Sequence, residues 1–363
     1  MDADDPALSR LIDRITHARA HGLALDIRGG STKAFYGGPR AGEPLEIGGL
    51  AGISSYEPTE LVVTARAGTP LSELEAALEE CGQCLPFEPP RFSPGGTVGG
   101  MVAAGLAGPA RAYVGGVRDH VLGITLLNGD GELLTFGGQV TKNVAGYDVS
   151  RLMAGSLGIL GVLCEVSLKV LPTPRHTATL IFEWDEARAL DQLNAWASQP
   201  LSITASAWCA GRLYVRLGGA AAAVDAARGK LGGFTLAAPE ASAWWSSLRD
   251  QTHAFFAPAA AMADGPGLWR VSVPATAAPI RLAGEQLIEW HGAERWWRTD
   301  LPRAQVRAAA ARACGHATLM RGADRSDGVF EPVSDALMVI HRRLKAAFDP
   351  ARIFNRGRLY AEL

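Results

Sequence analysis

The sequence is poor in cysteine and close to electrically neutral. It has 5 cysteines scattered over 363 residues and a formal net charge of −2 at pH 7. Dispersed cysteines suit a reducing compartment better than a disulfide framework. A near-neutral chain gives no electrostatic reason to expect nucleic acid or an anionic membrane as a partner. We therefore predict a cytoplasmic protein that binds small molecules or assembles with other proteins.

The chain also lacks a secretory signal and any stretch suited to spanning a membrane. Its N-terminus, "MDADDPALSR", is acidic and has no apolar segment. The longest uncharged run, residues 92–110, is interrupted by prolines and six glycines. That composition is unsuited to a membrane-spanning helix. We predict no transmembrane segment.

Two familiar nucleotide-binding signatures are missing. The sequence contains no G-x-G-x-x-G, and its single Gly-Lys pair, Gly229-Lys230, is followed by Leu231 rather than Ser or Thr. These absences argue against a Rossmann dinucleotide site and a Walker phosphate loop. A glycine-rich loop is present all the same, because "IRGGSTKAFYGG", residues 27–38, follows the short apolar stretch "LALDI".

The loop 27–38 does not lead into a long helix, because Gly37, Gly38 and Pro39 interrupt it. An anion there would be held by consecutive backbone N–H groups in a nest, helped by hydroxyl and cationic side chains. The residues of this candidate nest are Arg28, Gly29, Gly30, Ser31, Thr32 and Lys33. Taken alone, the loop has a plain surface turn as its alternative interpretation.

Two further glycine clusters favour a ligand. Residues 95–100 again offer exposed backbone donors, and Val98, Met101 and Val102 add apolar contact. The cluster "AGSLGILG", residues 154–161, precedes an apolar strand, and small residues there let the backbone approach a planar group. The combination suits a large ligand that carries both a phosphate and a flat hydrophobic ring.

The periodicity of apolar residues predicts two regions with different element orders. In the first region we expect helices at 5–21 and at 69–81, the latter capped by Thr69, strands at 23–28, 60–68 and 162–172, and a hairpin at 121–136. After residues 173–178 the order becomes β-α-β-β-α-β, which is typical of a ferredoxin-like unit. A weaker second pass covers 268–320, and a last helix covers 334–347.

Several segments together resemble FAD-binding proteins of the vanillyl-alcohol oxidase (PCMH) type, and within that family the FAD-binding subunits of bacterial glycolate oxidases. The segments are "RGGSTKAF", "ARAGTPLSELEAAL", "PGGTVGGMVAAGLAGP", "VRDHVLGITLLNGDGELLTFGG", "KNVAGYDVSRLMAGSLGILGVLCEVSLKVLP" and "FNRGR". The resemblance implies an α+β fold with a two-lobed PCMH-type FAD-binding domain at 1–175 and a ferredoxin-like α+β cap domain at 176–332. A C-terminal helix and tail, 333–363, would return to the FAD domain.

The resemblance also implies which residues contact the cofactor. The loop 28–33 would wrap the FAD pyrophosphate. A second group would line the cofactor: Pro94, Gly95, Gly96, Thr97, Val98, Gly99, Gly100, Ala104 and Gly105. A third group would contact flavin or adenine: Gly155, Ser156, Leu157, Gly158, Ile159 and Val162. Asn355 would return to the flavin from the C-terminus.

The chain departs from its relatives at two places. Some relatives attach flavin covalently through a histidine in the loop R-S-G-G-H, where this chain has Thr32, so we expect non-covalent FAD. Catalytic 2-hydroxy-acid dehydrogenases of the family carry an "HxGDGNxH"-like motif, whereas this chain has only "GHATLMRGADRSDG". The remaining catalytic candidates are His316, Arg270 and Arg321. A satisfied structural role is the competing interpretation for His316, and a solvated surface position is the alternative to carboxylate binding for the two arginines.

No metal site is expected. The pair "CGQC", Cys81 to Cys84, follows the end of a helix, where the dipole disfavours a thiolate, and no second C-x-x-C completes a set of four ligands. The resemblance implies an FAD-binding subunit that oxidises glycolate, or a related 2-hydroxy acid, by hydride transfer to flavin. Electrons would pass to other subunits, a catalytic flavin subunit and an iron–sulfur subunit, with any membrane association arising through that complex. The alternative is an FAD-binding assembly subunit that oxidises no substrate itself.

Overall fold

The structure, a computed structural model, describes residues 5–138, 148–257, 267–322, 325 and 328–363. Its α-helices are α1 Pro6–His21, α2 Leu71–Glu80, α3 Val98–Ala104, α4 Arg111–Val114, α5 Val117–His120, α6 Val149–Leu152, α7 Glu186–Ala197, α8 Ala221–Leu231, α9 Ala238–Arg249, α10 Arg303–Arg312 and α11 Asp335–Phe348. A short 3₁₀ helix covers Trp290–Gly292.

The strands of the first region are β1 Leu25–Arg28, β2 Glu43–Glu46, β3 Ile53–Glu57, β4 Val62–Arg66, β5 Gln83–Cys84, β6 Val121–Leu127, β7 Leu133–Gly137, β8 Val162–Lys169 and β9 Leu171–Pro172. The strands of the second region are β10 His176–Phe182, β11 Ile203–Cys209, β12 Arg212–Gly219, β13 Phe234–Leu236, β14 Gly267–Ser272, β15 Glu285–Glu289, β16 Glu294–Thr299 and β17 His316–Arg321.

The first helix shows how the sequence pattern becomes packing. Asp5 caps α1 by accepting hydrogen bonds from the first-turn amides, and Gly22 ends it in the left-handed conformation. Its apolar stripe, Leu8, Leu11 and Ile15, is buried in the core of the first region. The helix predicted at 5–21 is confirmed, and it covers one side of the region that holds the glycine loops.

The first region contains two β systems. The parallel pair β1 and β2 carries the first glycine loop at the end of β1. An antiparallel sheet has the strand order β3-β4-β8-β6-β7, with the predicted hairpin β6–β7 at one edge. Strand β8 is the central strand of this sheet and begins at Val162, directly after the third glycine cluster. The sheet therefore fixes the position of the end of that cluster.

Thr69 does not cap helix α2, contrary to the sequence prediction. The cap position is Pro70, which makes no side-chain cap bond. The Thr69 hydroxyl instead lies 2.9 Å from the amide nitrogen of Gly52 and 3.0 Å from its carbonyl oxygen. The Thr69 hydroxyl therefore forms hydrogen bonds with a residue distant in sequence, although local sequence rules predict that it caps the helix.

The second region is an eight-stranded sheet made of two ferredoxin-like units. Its order is β13-β10-β12-β11-β15-β16-β14-β17, and β11 pairs with β15 to join the units edge to edge. The first unit has the predicted β-α-β-β-α-β order. The second unit has one crossover helix, α10, because the described residues between β14 and β15 form turns and loop. The weaker second pass at 268–320 is therefore confirmed, without its first short helical piece.

The C-terminal segment returns to the first region. Helix α11 packs Phe348 against Phe136 of β7, with ring centroids 6.2 Å apart. The chain then runs beside β1, where the amide of Leu25 donates a 2.7 Å hydrogen bond to the carbonyl of Ile353. This return places Asn355 next to the glycine loops.

Candidate functional site

One cavity gathers the three glycine segments and the C-terminal return. Among the described residues, thirteen of the predicted site residues line it: Arg28, Gly29, Gly30, Ser31, Thr32, Lys33, Thr97, Gly99, Gly100, Ala104, Leu157, Gly158 and Asn355. Gly161, within the predicted third glycine cluster, also lines the cavity. The sequence prediction did not name eight other lining residues as contacts: Asp26, Ile27, Ala34, Arg40, Ile47, Ala103, Leu163 and Arg358. Segments more than 300 residues apart in sequence therefore share one site.

The first two glycine segments touch through their backbones. A Cβ atom at Gly30 would overlap the carbonyl oxygen of Gly95, and one at Gly29 would overlap the Thr97 hydroxyl. Thr97 caps helix α3, since its hydroxyl accepts a 3.2 Å hydrogen bond from the amide of Gly100. Any side chain at Gly29 or Gly30 would force the segments apart. Gly29 and Gly30 thus determine how closely the two segments approach each other at the cavity. A sequence motif alone does not show this contact.

Cations dominate the polar wall of the cavity. Asp26 is buried and forms ion pairs with Arg28 at 2.8 Å and with Arg40 at 2.9 Å. Lys33 and Arg358 add two further positive groups. Four cations therefore face one carboxylate, and the excess positive charge suits a ligand with two phosphate charges.

Lys33 is a half-buried cation without a close counter-charge among the described residues. Among the described residues, its Nζ has the Thr32 hydroxyl as hydrogen-bond partner, at 3.4 Å, and no carboxylate within ion-pair distance. Burial lowers the pKa of Lys33 to about 8, and the more distant carboxylates of Asp250 and Glu75 offset this only in part. An anion in the cavity would supply the missing charge.

Arg358 ties the C-terminal tail to the chain that follows the nest. Its guanidinium donates to the backbone carbonyls of Tyr36 and Gly38 and, at 3.3 Å, to that of Ala34. Burial, together with the nearby charge of Arg40, lowers the pKa of Arg358 to about 10. Hydrogen bonds from Arg358 thus join the C-terminal tail to the loop that forms the nest, and both contribute to the cavity wall.

Part of the cavity lining is apolar. Ala103 and Ala104 of helix α3 line the cavity together with Leu157 and Leu163. The carbonyls of Val102 and Ala103 accept hydrogen bonds from Gly155 (3.0 Å) and Leu157 (2.9 Å), so the third glycine segment is fixed to the end of α3. A cavity with one cationic wall and one apolar wall fits a dinucleotide that carries a flat ring, as FAD does.

The structure places nine predicted contact residues outside the cavity lining: Pro94, Gly95, Gly96, Val98, Gly105, Gly155, Ser156, Ile159 and Val162. Val98 of α3, Val162 of β8 and Ile159, in the bend before β8, lie in the hydrophobic core. Gly105 and Gly155 serve close packing, since a Cβ at Gly105 would lie 2.8 Å from the amide nitrogen of Gly155. Most of "KNVAGYD", residues 142–147, falls outside the described residues.

The two candidate arginines lie where the second region meets the first. Arg270 donates to the hydroxyl of Tyr36 at 3.4 Å, and its Nε makes no hydrogen bond within the described part of the chain. Arg321 stacks over Phe35, 4.4 Å from the ring centroid. Tyr36 accepts at its carbonyl from Arg358, so it links Arg270 to the wall of the cavity. The arginines are thus adjacent to the cavity without lining it.

His316 does not join these arginines. It lies exposed at the start of β17, paired with Ser272, whereas Arg321 ends the same strand. Among the described residues nothing hydrogen-bonds to its ring, so the interpretation as a satisfied structural histidine finds no support there. Although the residue as a whole is exposed, partial desolvation of its ring and the nearby charge of Arg270 lower the pKa of His316. The described lining of the cavity contains no histidine at all.

Sequence reasoning also missed a pair of buried acids beside the arginines. Glu289 and Glu294 line a small internal cavity with Arg270, between the second region and the end of α3. Burial raises the pKa of Glu289 to about 7 although Trp296 donates a 2.9 Å hydrogen bond to it, and raises that of Glu294 well above its usual range. One of the two carboxyls therefore keeps its proton near neutral pH.

The described ranges contain neither a membrane-spanning helix nor a metal-binding cluster. No helix there combines the length and the apolar composition needed to cross a bilayer. No group of three or more His, Cys, Asp or Glu side chains is arranged to bind a metal ion there. Cys81 is exposed at the C-terminal end of α2, as the sequence predicts, and Cys84 follows on β5.

Comparisons with known proteins agree with this geometry. A family model described as "FAD binding domain" matches residues 8–137. Glycolate oxidase subunit GlcE of Escherichia coli (strain K12) is 46% identical over 354 residues, which are 97% of this chain and 97% of that protein. A D-lactate dehydrogenase of Anaerostipes hadrus is 34% identical over 134 residues, 37% of this chain and 28% of that enzyme.

A solved structure shares the whole architecture. The chain superposes on an alkyldihydroxyacetonephosphate synthase with a TM-score of 0.65 at 14% identity, covering 96% of this chain and 74% of that one. The fold and the site thus define an FAD-binding protein of the PCMH type. More narrowly, the chain belongs to the family of glycolate oxidase subunit GlcE, because the likeness to that protein extends over nearly the full length of both.

Proposed function

We propose that this chain is the FAD-binding subunit of an oxidase that acts on glycolate or a related 2-hydroxy acid. The reaction converts glycolate to glyoxylate, and the bound FAD supplies an acceptor for the hydride of the substrate Cα. The observation that carries the proposal is the cavity in which the nest 28–33 faces Thr97 and Asn355, in a chain 46% identical to GlcE.

The residues divide the work of holding FAD between them. The backbone amides of 29–33, with Lys33 and Arg40, would bind the pyrophosphate. The alanines of α3 and Leu157 would pack on the flat rings and exclude water from one face. None of the described lining residues is His, Cys or Tyr, which supports non-covalent binding, as Thr32 first suggested.

Assembly belongs to the same proposal. The five cysteines are free and none of the described groups is suited to an iron–sulfur cluster, so electrons would leave through other chains, a catalytic flavin subunit and an iron–sulfur subunit. The chain would work in the cytoplasm, with membrane association arising only through that complex.

Within the chain we propose an FAD domain at 1–175, a cap at 176–332 and a returning tail at 333–363.

A second candidate is an FAD-binding assembly subunit with no oxidation of its own. The described lining contains a single carboxylate, Asp26, which Arg28 and Arg40 hold in ion pairs. A base that takes the substrate hydroxyl proton is therefore missing from the described lining, and His316 lies exposed elsewhere.

Anaerobic addition of glycolate to the FAD-loaded chain, alone and within the assembled oxidase, separates the two candidates. Bleaching of the flavin absorbance with the isolated chain supports substrate oxidation by this subunit. The assembly role is supported if this chain's flavin is not bleached in either preparation while the assembled oxidase still forms glyoxylate. An assembly that never forms glyoxylate would contradict the proposed reaction.

A further inference from the structure

The last helix contains an ion pair that is closed off from solvent. Lys345 and Asp349 are both 0% exposed, and Lys345 Nζ lies 2.7 Å from Asp349 Oδ2. Burying two charges costs free energy of hydration, so such pairs are poor sources of stability. Burial lowers the pKa of Lys345, and the carboxylate of Asp349 opposes this.

The ammonium group of Lys345 uses all of its donors. Besides Asp349 it donates to the carbonyl of Ile159 at 2.6 Å and to that of Phe354 at 2.9 Å. An ammonium has three donors, so the group is fully satisfied. Ile159 belongs to the third glycine segment and Phe354 to the C-terminal return. One cation thus holds two segments that reach the cavity.

Asp349 completes the same unit from the acceptor side. Its Oδ1 accepts a 3.0 Å hydrogen bond from the amide of Ile353, and its Oδ2 accepts one of 2.8 Å from the amide of Phe354. Because a carboxylate accepts at both oxygens, the turn after the helix is fixed in a single shape. The residue that leaves this turn is Asn355.

Asn355 connects this turn to the cavity through hydrogen bonds. Its Oδ1 accepts a 2.7 Å hydrogen bond from the amide of Ile27, at the end of β1, and its Nδ2 donates at 2.7 Å to the carbonyl of Leu157. Its own amide donates to Leu25 at 2.9 Å. Asn355 therefore joins the strand that enters the nest to the apolar glycine segment.

We propose that Lys345 and Asp349 are positioning residues for FAD, which hold Asn355, Leu157 and the end of β1 in the binding geometry before the cofactor arrives. The inference rests on the proposed FAD site and adds to it two residues that do not line the cavity. Preorganisation of this kind raises affinity because the free chain has less to order on binding.

The double variant Lys345→Met/Asp349→Leu tests the proposal, because it removes both charges and keeps apolar bulk. We expect a lower melting temperature and, in the folded variant, an FAD dissociation constant at least about 10-fold higher, since two carbonyls and two amides lose their partners. Lys230→Met, on the surface of α8, is the matched control and should bind FAD as the parent does. A stable double variant with parental affinity would overturn the proposal.

Hydrogen exchange on the unchanged chain covers the case in which the double variant does not fold. The amides of Ile353 and Phe354 should be protected before FAD is added, because Asp349 already binds them. Exchange as fast as in an exposed loop, slowed only by FAD, would overturn the proposal. Failure of the parent chain to bind FAD at all would instead count against the FAD site, so the two failures are distinguishable.

Discussion

Gly30 and Gly95 lie in backbone contact, so close that a Cβ atom on Gly30 would overlap the carbonyl oxygen of Gly95. These residues come from different segments, the loop after β1 and the loop before α3. Their contact decides how near the backbone donors of one loop come to the other. The FAD cavity depends on that spacing.

Gly30→Ala should therefore abolish tight FAD binding. One loop must move away from the other, which displaces the nest, and we expect a loss of affinity of about 100-fold or more, equivalent to about 3 kcal/mol. Flavin fluorescence quenching on titration with FAD measures this. Gly229→Ala adds the same methyl group at an open position on α8 and should leave binding unchanged. Parental affinity in Gly30→Ala would show that the loops do not hold the cofactor.

FAD binding should weaken as pH rises through about 8. Burial holds the pKa of Lys33 at about 8, so the side chain carries its charge below that pH and loses it above. A phosphate anion binds the charged form, so the dissociation constant rises across this window. Lys33→Met should bind roughly 10-fold more weakly near neutral pH and show a flat profile there. If the FAD dissociation constant of Lys33→Met still rises with pH in this window, a group other than Lys33 causes the pH dependence.

Glu289→Gln should stabilise the protein at alkaline pH. Burial raises the folded-state pKa of Glu289 from 4.5 to about 7, so the folded chain binds more protons than the unfolded chain between those values. The stability of the parent is therefore fully present below about 4.5 and falls as pH rises to about 7. A neutral glutamine keeps the hydrogen bond from Trp296 and avoids that loss of stability, which is about 3 kcal/mol above pH 7.

Urea unfolding, followed by tryptophan fluorescence at about pH 5 and about pH 8, measures the effect of Glu289→Gln. The variant and the parent should differ far more at the higher pH. Charged groups near this carboxyl on other elements are Glu294, Arg270 and Glu88, so the titration belongs to the cluster. Glu240→Gln, at an exposed position on α9, is the control. An equal shift at both pH values would contradict the raised pKa.

Local sequence patterns predicted most of the fold. Asp5, the stripe on α1 and Gly22 mark the first helix completely, and the β-α-β-β-α-β order of the second region predicts its ferredoxin-like unit. Thr69 was misassigned because a tertiary bond to Gly52 uses its hydroxyl. Short-range rules succeed where the interaction is itself short-range.

The candidate site was predictable as far as its glycine segments. Arg358 could not be found, because its partners lie more than 300 residues away along the chain and it belongs to no helix or strand pattern. Glu289 and Glu294 look like surface charges in "EWHGAERWW", yet the sheet is covered there and both are buried. Burial on both faces of a strand is decided by packing with distant elements.

The central claim is that this chain holds FAD non-covalently between its three glycine segments and Asn355. Acid precipitation of the purified, FAD-saturated chain, followed by quantification of flavin in the supernatant and in the pellet, tests it most directly. The account predicts FAD in the supernatant in equimolar ratio to the chain, and clearly less than one equivalent from Gly30→Ala treated in the same way. Flavin that remains with the precipitated protein, or a parent chain that takes up no FAD, would contradict it.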